Sequence, residues 1–402
     1  MANIALFGGK PVRDCKITYG KQHINKNDIR AVTEVLKSDW LTQGPKILEF
    51  ESQICRFTGS KYAVTTTSGT TALHLACIAA EIGPGDEVIT TPMSFAASAN
   101  CVRYCGGTVV FADIDPHTYN IDPKEVKKKI TKKTKAIIAV DYAGQSAHLE
   151  ALRLLCDEYG LVFIEDAAHA IGSQFNGKMI GNIADLTTFS FHPVKTITGG
   201  EGGMVTTNHE KFASTMRLMA SHGINKNAEE LSRRDEGAWY YEQQFLGYNF
   251  RMTDIQAALL LNQLKRIDDF KKRRKEIVSA YNKAFARMDG IITPIEHPLA
   301  DSCWHLYVIR VDTEILGCTR RLFFDALAAE NVQPQVHYVP IHLHPNYQSL
   351  GHSSGECPIA EEIYESIITL PLYPAMNNKD LADVIEAVKK IHDYFLVRRN
   401  SK

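Results

Sequence analysis

The chain has little that would tie it to a membrane, to nucleic acid or to an oxidising compartment. No run approaches the ~20 consecutive apolar residues that a membrane helix needs, and the start, Met1 to Lys10, is apolar for too few residues to be a signal-peptide core. Net charge is also absent: 45 Lys and Arg stand against 46 Asp and Glu, so no whole-molecule field favours a polyanion such as DNA. Cysteine is thin and odd in number. Its nine copies contain no Cys-x-x-Cys pair, which excludes a zinc ribbon and argues against a disulfide framework. Repeats, linkers and low-complexity tracts are missing as well. The expectation is a cytoplasmic globular protein that binds neither nucleic acid nor membrane.

A length of 402 residues exceeds one ordinary core, so two domains are expected, divided near residue 258 into 1–258 and 259–402. In the first part, short β-rich runs alternate with helix-length segments, the mark of βαβ units. The runs are Tyr62 to Thr65, Glu87 to Thr90, Thr108 to Phe111, Thr134 to Val140, Leu161 to Ile164 and Leu186 to Phe191. Helices are expected from a cap at Asn27 to about Ser38, and over Thr71 to Glu81, Lys124 to Ile130 and Leu149 to Glu158. Thr253 to Ala280 reads as one long charged helix. Its basic residues, Lys265-Arg266 and Lys271 to Lys275, are interleaved with Asp268, Asp269 and Glu276 and read as a solvated face. Asp380 to Val397 reads as an amphipathic helix covering a smaller second domain.

Three segments of the first part carry chemistry. Thr66 to Thr71 follows a strand and opens a helix, where free backbone N–H groups favour a phosphate; alone, it reads more readily as a plain helix cap. Asp166 stands at the carboxyl end of an apolar strand, the edge where ligands collect in α/β sheets. Lys195 lies between the strand ending in Phe191 and the glycines at 199, 200, 202 and 203. Taken together, they call for a ligand with a phosphate, a basic ring nitrogen and an aldehyde. Pyridoxal 5'-phosphate has those groups: a Lys forms the Schiff base, an Asp pairs with the ring nitrogen and a helix N-terminus holds the phosphate.

From about Thr18 to Asp393 the chain resembles the sugar aminotransferases of the DegT/DnrJ/EryC1/StrS family. The resemblance rests on Leu41-Thr42-Gln43-Gly44-Pro45, Ser68-Gly69-Thr70-Thr71-Ala72-Leu73, Glu165-Asp166-Ala167-Ala168-His169-Ala170, Ser190-Phe191-His192-Pro193-Val194-Lys195, Glu201-Gly202-Gly203 and Gly247-Tyr248-Asn249-Phe250-Arg251-Met252-Thr253-Asp254. It implies an α/β protein of fold type I, aspartate aminotransferase-like: a large domain on a mixed, mostly parallel sheet and a smaller α+β C-terminal domain. It further implies that Lys195 is the Schiff-base lysine and proton shuttle, and that Asp166 keeps the cofactor ring nitrogen protonated. Gly69, Thr70 and Ser190 would bind the phosphate, Phe95 would stack on the ring and His169 would contact its phenolic oxygen.

Asn249 and Arg251 match positions that in the family reach the neighbouring subunit's cofactor, which implies a homodimer with shared sites. Tyr19, Trp40, Leu41, Thr42, His337 and Tyr338 match positions lining the sugar-nucleotide pocket. Within the family, Tyr19 to Gln22, Asp141 to Gln145, Trp239 to Gln244 and Val336 to Pro340 most resemble members of the pseudaminic acid route. Those members aminate C4 of a UDP-linked 4-keto-6-deoxy-N-acetylhexosamine of L-arabino configuration, and L-glutamate is the family's usual donor. Alternatives are an aminotransferase for another 3- or 4-keto nucleotide sugar, or a pyridoxal phosphate-binding regulator without turnover. The family's dehydratases carry His at the Lys195 position, and a Rossmann dehydrogenase would need a Gly-x-Gly-x-x-Gly that is missing. No metal is expected: His337, His342 and His344 cluster with no carboxylate near in sequence.

Overall fold

The computed structural model describes residues 3–233 and 235–400. Seven strands form the central sheet: β1 (Tyr62–Thr66), β2 (Glu87–Thr90), β3 (Thr108–Phe111), β4 (Thr134–Val140), β5 (Val162–Asp166), β6 (Leu186–Ser190) and β7 (Gly203–Thr207). Their order is β1-β7-β6-β5-β4-β2-β3, and only β7 runs against its neighbours. Strands β4, β5, β6 and β7 are buried along nearly their whole length, as expected where helices cover both faces of a sheet. Because the other six strands share one direction, the carboxyl ends of β1, β2, β4, β5 and β6 open on one edge.

One strand was not expected from the sequence. Met204 to Thr207 follows the glycine cluster directly and returns antiparallel between β6 and β1. Two backbone approaches force glycine there. A Cβ on Gly203 would sit 2.2 Å from the Ser68 carbonyl oxygen, and one on Gly69 would sit 2.8 Å from Ser190 Cβ.

The first helix spans Lys26–Leu36, and its cap is Asn25 rather than Asn27. Asn25 Oδ1 accepts from the Asn27 and Asp28 N–H groups at 2.9 and 3.0 Å, and Asp28 accepts from the Asn25 N–H at 2.8 Å, a reciprocal capping box. The long helix expected over Thr253 to Ala280 is two helices, Asp254–Leu264 and Ile267–Phe285. The break at Lys265-Arg266 lets the chain pass between cores. Ala257, Leu260, Leu261, Ile267 and Phe270 pack under the sheet, while Ile277, Val278, Tyr281 and Phe285 enter a separate apolar cluster. Arg266, at the bend, is held by the fully buried Asp28.

That separate cluster is built around the antiparallel strands Ile291–Ile292, Tyr307–Val311 and Ile367–Leu370, with the C-terminal helix Asn378–Asn400 and the helix Arg320–Ala329. It also takes in Ile4 and Ile17 from the beginning of the chain. Arg274, fully buried, crosses from the long helix to donate to the carbonyls of Trp304, His305 and Leu372 at 3.1, 3.1 and 2.9 Å. It thereby ties the smaller cluster to the sheet edge. No helix among the described residues is long and apolar enough to cross a membrane.

Candidate active site

Four sheet ends and two loops meet at the open edge. Asp166 ends β5, and its carboxyl is held from both sides. Ser98 Oγ donates to Oδ2 at 2.6 Å and the Ala168 N–H donates to Oδ1 at 3.1 Å. Ser98 is in turn tied to Ser94 Oγ at 2.7 Å, so the helix Ala97–Tyr104 fixes the carboxyl's rotamer. Burial pushes the Asp166 carboxyl above its ordinary range, opposed by these two hydrogen bonds and by the charge of Lys195.

Lys195 follows β6 in the turn His192 to Lys195, closed by its N–H donating to the His192 carbonyl at 2.9 Å. Behind it the loop is pinned three times to Phe191: by the Gly199 N–H, by Thr198 Oγ1, and by the Phe191 N–H reaching Gly202. Phe191 is fully buried, edge-on to Phe50. Burial lowers the Lys195 amine to about 8, with the Asp166 charge pulling the other way. An amine so placed is partly neutral near physiological pH, the condition for a base or nucleophile.

Histidines surround the amine and are held neutral. The His169 and His305 rings lie 4.3 Å apart, centre to centre. Burial and the positive charge of Lys195 drive both well below the ordinary histidine range, and the same causes lower His337 to about 4. His169 Nε2 pairs with the Tyr338 hydroxyl at 3.1 Å, and His337 Nδ1 with Thr369 Oγ1 at 2.9 Å. His169 Nδ1 is buried with no hydrogen-bond partner among the described residues. Tyr19 packs on His337 with ring centres 5.0 Å apart, and Phe95, 61% exposed, faces Tyr338 at 6.4 Å.

The phosphate-class site lies beside this group. Ser68 and Thr71 form a capping box at the start of the helix Gly69–Ala79, leaving the Gly69 and Thr70 N–H groups with no acceptor among the described residues. The missing Cβ of Gly69 lets Ser190 come against the helix start. Two free N–H donors, a positive helix end and an adjacent hydroxyl make a cradle for a dianion. With the Lys195 amine, the Asp166 carboxyl and the unpartnered His169 Nδ1, the residues fit pyridoxal 5'-phosphate.

Other expected residues stand apart. No hydrogen bond, ion pair or ring contact joins Trp40, Leu41, Thr42, Asn249 or Arg251 to the Lys195 group among the described residues. Trp40 is 55% exposed and borders a cleft with Arg30, Lys46 and Asp254. Arg251 donates to Ser221 Oγ at 3.0 Å and faces a cleft of about 260 Å³ with Leu48 and Arg217, while exposed Asn249 bridges Ser221 through backbone. The two sets of motif residues are nevertheless joined. Asp254, fully buried, accepts from the Gly44 and Lys46 N–H groups at 2.8 and 2.9 Å, and its own N–H donates to the Leu41 carbonyl at 3.0 Å.

Sequence reasoning missed Ser98, His305 and the buried acids beside Asp166. Ser98 lies just past the Pro92 to Ala97 stretch, and nothing in its type marks it out; its role depends on β5 lying opposite. His342 finds a carboxylate distant in sequence, Glu361, at 2.8 Å. Among the described residues no group of three His, Cys, Asp or Glu side chains is disposed to hold a metal ion.

The fold and this group of residues define a pyridoxal phosphate-dependent aminotransferase of fold type I. The chain belongs to the DegT/DnrJ/EryC1/StrS aminotransferase family, which it matches over residues 22–389. It is 45% identical over 377 residues to the spore coat polysaccharide biosynthesis protein SpsC of Bacillus subtilis, covering 93% of this chain and 97% of that one. Among solved structures it resembles PseC of Helicobacter pylori, an aminotransferase involved in the biosynthesis of pseudoaminic acid, at TM-score 0.88 and 35% identity over 94% of this chain and all of that one. It also resembles the PLP form of the sugar aminotransferase Spr1654 of Streptococcus pneumoniae, at TM-score 0.87 and 32% identity over 95% of this chain and all of that one. The protein is a pyridoxal phosphate-dependent sugar transaminase.

Proposed function

We propose that this transaminase moves an amino group from L-glutamate to C4 of a UDP-linked 4-keto-6-deoxy-N-acetylhexosamine of L-arabino configuration, on the route to pseudaminic acid. It would work in the cytoplasm as a homodimer. The observation that carries the chemistry is the Lys195 amine, lowered to about 8 by burial, beside Asp166 and the N–H cradle that begins at Gly69. The likeness to PseC supports the choice of sugar, and so does the resemblance of Tyr19 to Gln22, Asp141 to Gln145, Trp239 to Gln244 and Val336 to Pro340 to members of the pseudaminic acid route.

When bound, the cofactor supplies an aldehyde that takes up the amino group and a ring that accepts the electron pair left as a carbon loses its proton. The chain's own residues do the rest. Lys195 is the residue that would hold the cofactor through its aldehyde group, and its Nζ, partly neutral near physiological pH, would take up and return the proton of the donor carbon. Asp166, braced by Ser98, holds the proton on the ring nitrogen. The Gly69 and Thr70 N–H groups with Ser190 take the phosphate, Phe95 covers one ring face, and His169 offers its free Nδ1 toward the ring's phenolic side. Tyr19, His337 and Tyr338 line the sugar side, and Trp40, Leu41 and Thr42, which stand apart from the Lys195 group, would meet the sugar farther out. Asn249 and Arg251 serve the phosphate region of the partner's site; residues 1–258 supply most of the cofactor domain and 259–402 most of the smaller one, but the crossing falls after the break at Lys265-Arg266, because Leu260, Leu261, Ile267 and Phe270 still pack under the sheet and Ile4 and Ile17 join the smaller core.

The test is spectroscopic. The purified protein with cofactor should show a visible band that L-glutamate shifts to the near-ultraviolet. Of a panel of UDP- and dTDP-linked 4-keto-6-deoxy sugars, the UDP L-arabino compound should restore it. Restoration by a different keto sugar alone would replace the proposed substrate, and absence of any chromophore would remove the Lys195 assignment.

A further inference from the structure

Next to Asp166 lie two acids that the transamination reading does not use. Glu165, the preceding residue of β5, points to the other side of the strand, and Asp141 follows directly on β4, which pairs in parallel with β5. The backbones are joined there, the Asp141 N–H donating to the Asp166 carbonyl at 3.0 Å. Both side chains are 0% exposed. Each is half satisfied: Glu165 Oε2 accepts from Thr187 Oγ1 at 2.7 Å and Asp141 Oδ1 from the Ala147 N–H at 2.9 Å. The remaining oxygens, Glu165 Oε1 and Asp141 Oδ2, have no hydrogen-bond partner among the described residues. The two carboxyls neighbour each other, and no Lys, Arg or His forms an ion pair with either among the described residues.

Two carboxylates cannot both stay ionised in such a place. A buried charge without a counterion is strongly unfavourable, and adjacent like charges add to that. Putting one proton between the two free oxygens satisfies both at once and halves the buried charge. We propose that Asp141 and Glu165 share a single proton and act as a positioning pair for Asp166, leaving one fixed negative charge behind the group that meets the cofactor ring.

Other groups facing the pair are Asp166, the Thr187 hydroxyl and the Ala147 and Gly181 N–H groups. Burial is the first cause raising both acids, Glu165 to about 7 and Asp141 well above its ordinary value, and the charge of Asp166 adds to both. The single remaining charge strengthens the attraction for a cationic ring nitrogen. A second one would instead drive Asp166 itself to take up a proton, and Asp166 could then no longer serve as the counterion. The electrostatic part of this proposal rests on the role given to Asp166 above; the shared proton does not.

Infrared difference spectra of the holoenzyme, wild type minus Asp141→Asn, provide the direct test. At neutral pH they should contain a protonated-carboxyl carbonyl band that shifts in D₂O, and its absence would overturn the shared proton. Stability gives a second readout. The folded pair keeps a proton that the unfolded acids lose near pH 4, so its contribution is complete below that pH and fades as pH rises through neutrality. Thermal midpoints of the cofactor-free protein should therefore fall more steeply from pH 5 to 8 in wild type than in Asp141→Asn; equal slopes would count against the pair. The isosteric double variant Asp141→Asn/Glu165→Gln removes the charge while keeping shape. It should lower kcat about tenfold or more beyond Asp141→Asn, with little change in the KM for glutamate. A double variant matching the single one would overturn the electrostatic role. A protein that shows the infrared band and lacks a chromophore would instead overturn the reading of Lys195.

Discussion

Around Lys195 the ionisable groups are buried and braced by strand ends, whereas between His222 and Arg251 the chain holds large apolar side chains out in solvent. Asp166, His169, His305 and His337 are each less than a tenth exposed; Trp239 is 78%, Phe245 56% and Leu246 86% exposed. The first region is organised by one chain alone. Hydrogen bonds from Ser98, Thr369 and the β5–β6 ladder fix its members, and desolvation sets their protonation before any ligand arrives. In the second, several aromatic and aliphatic side chains stand unburied in sequence proximity, an arrangement characteristic of surfaces that pair with another chain. The contrast separates what the single chain preorganises from what the proposed dimer would have to supply.

Substitutions can break that contrast from either side. The largest effect is expected from Lys195→Ala, which should lower transamination by at least about 10³-fold while the thermal midpoint stays near that of wild type. Single-turnover assays with glutamate would check it, and substantial residual turnover would refute the role. Next, mixing the inactive Lys195→Ala and Asn249→Ala proteins should regenerate about a quarter of wild-type activity. Half of the randomly mixed dimers are hybrids, and each hybrid holds one intact shared site. No recovery after mass spectrometry has confirmed subunit exchange would confine each site to one chain.

Smaller effects sharpen the picture inside the pocket. Ser98→Ala removes the hydroxyl braced on Asp166 and should reduce kcat about tenfold, the loss of one charged hydrogen bond, with the KM for the sugar little changed. Lys195→Met should stabilise the cofactor-free protein. The folded amine titrates near 8 and the unfolded one near 10.5, so below pH 8 the wild type carries a penalty of roughly 3 kcal/mol, and the penalty disappears as pH rises to 10.5. Denaturation curves of both proteins at pH 7 and pH 10 would show the gap narrowing; a constant gap would mean that the amine is not desolvated.

Much of the cofactor half could be read in the sequence because its signals are local. Apolar runs located six of the seven sheet strands, and a Lys before a glycine cluster or an Asp at a strand end marks the edge where ligands gather. What escaped was set by tertiary contact. Strand β7 is short and begins at a glycine, so it reads as part of the loop until β1 and β6 are seen to need a partner between them. The apolar stripe continues across Lys265-Arg266, and only the switch from one core to the other, with Asp28 waiting for Arg266, explains the break. Ser98, Asp141 and Glu165 belong to the site through neighbours tens of residues away, which no spacing rule records.

The carboxylate of Asp254 has a bearing on how the whole assembly behaves. It fastens the turn at Gly44, and hence the segment Trp40 to Thr42 proposed to meet the sugar, to the helix that begins just after Arg251. One strap therefore joins the segment proposed to meet the sugar to the residues proposed to reach the partner's cofactor. On that proposal, loosening either end moves the other, so a lesion in subunit pairing should be felt first as poorer capture of the sugar.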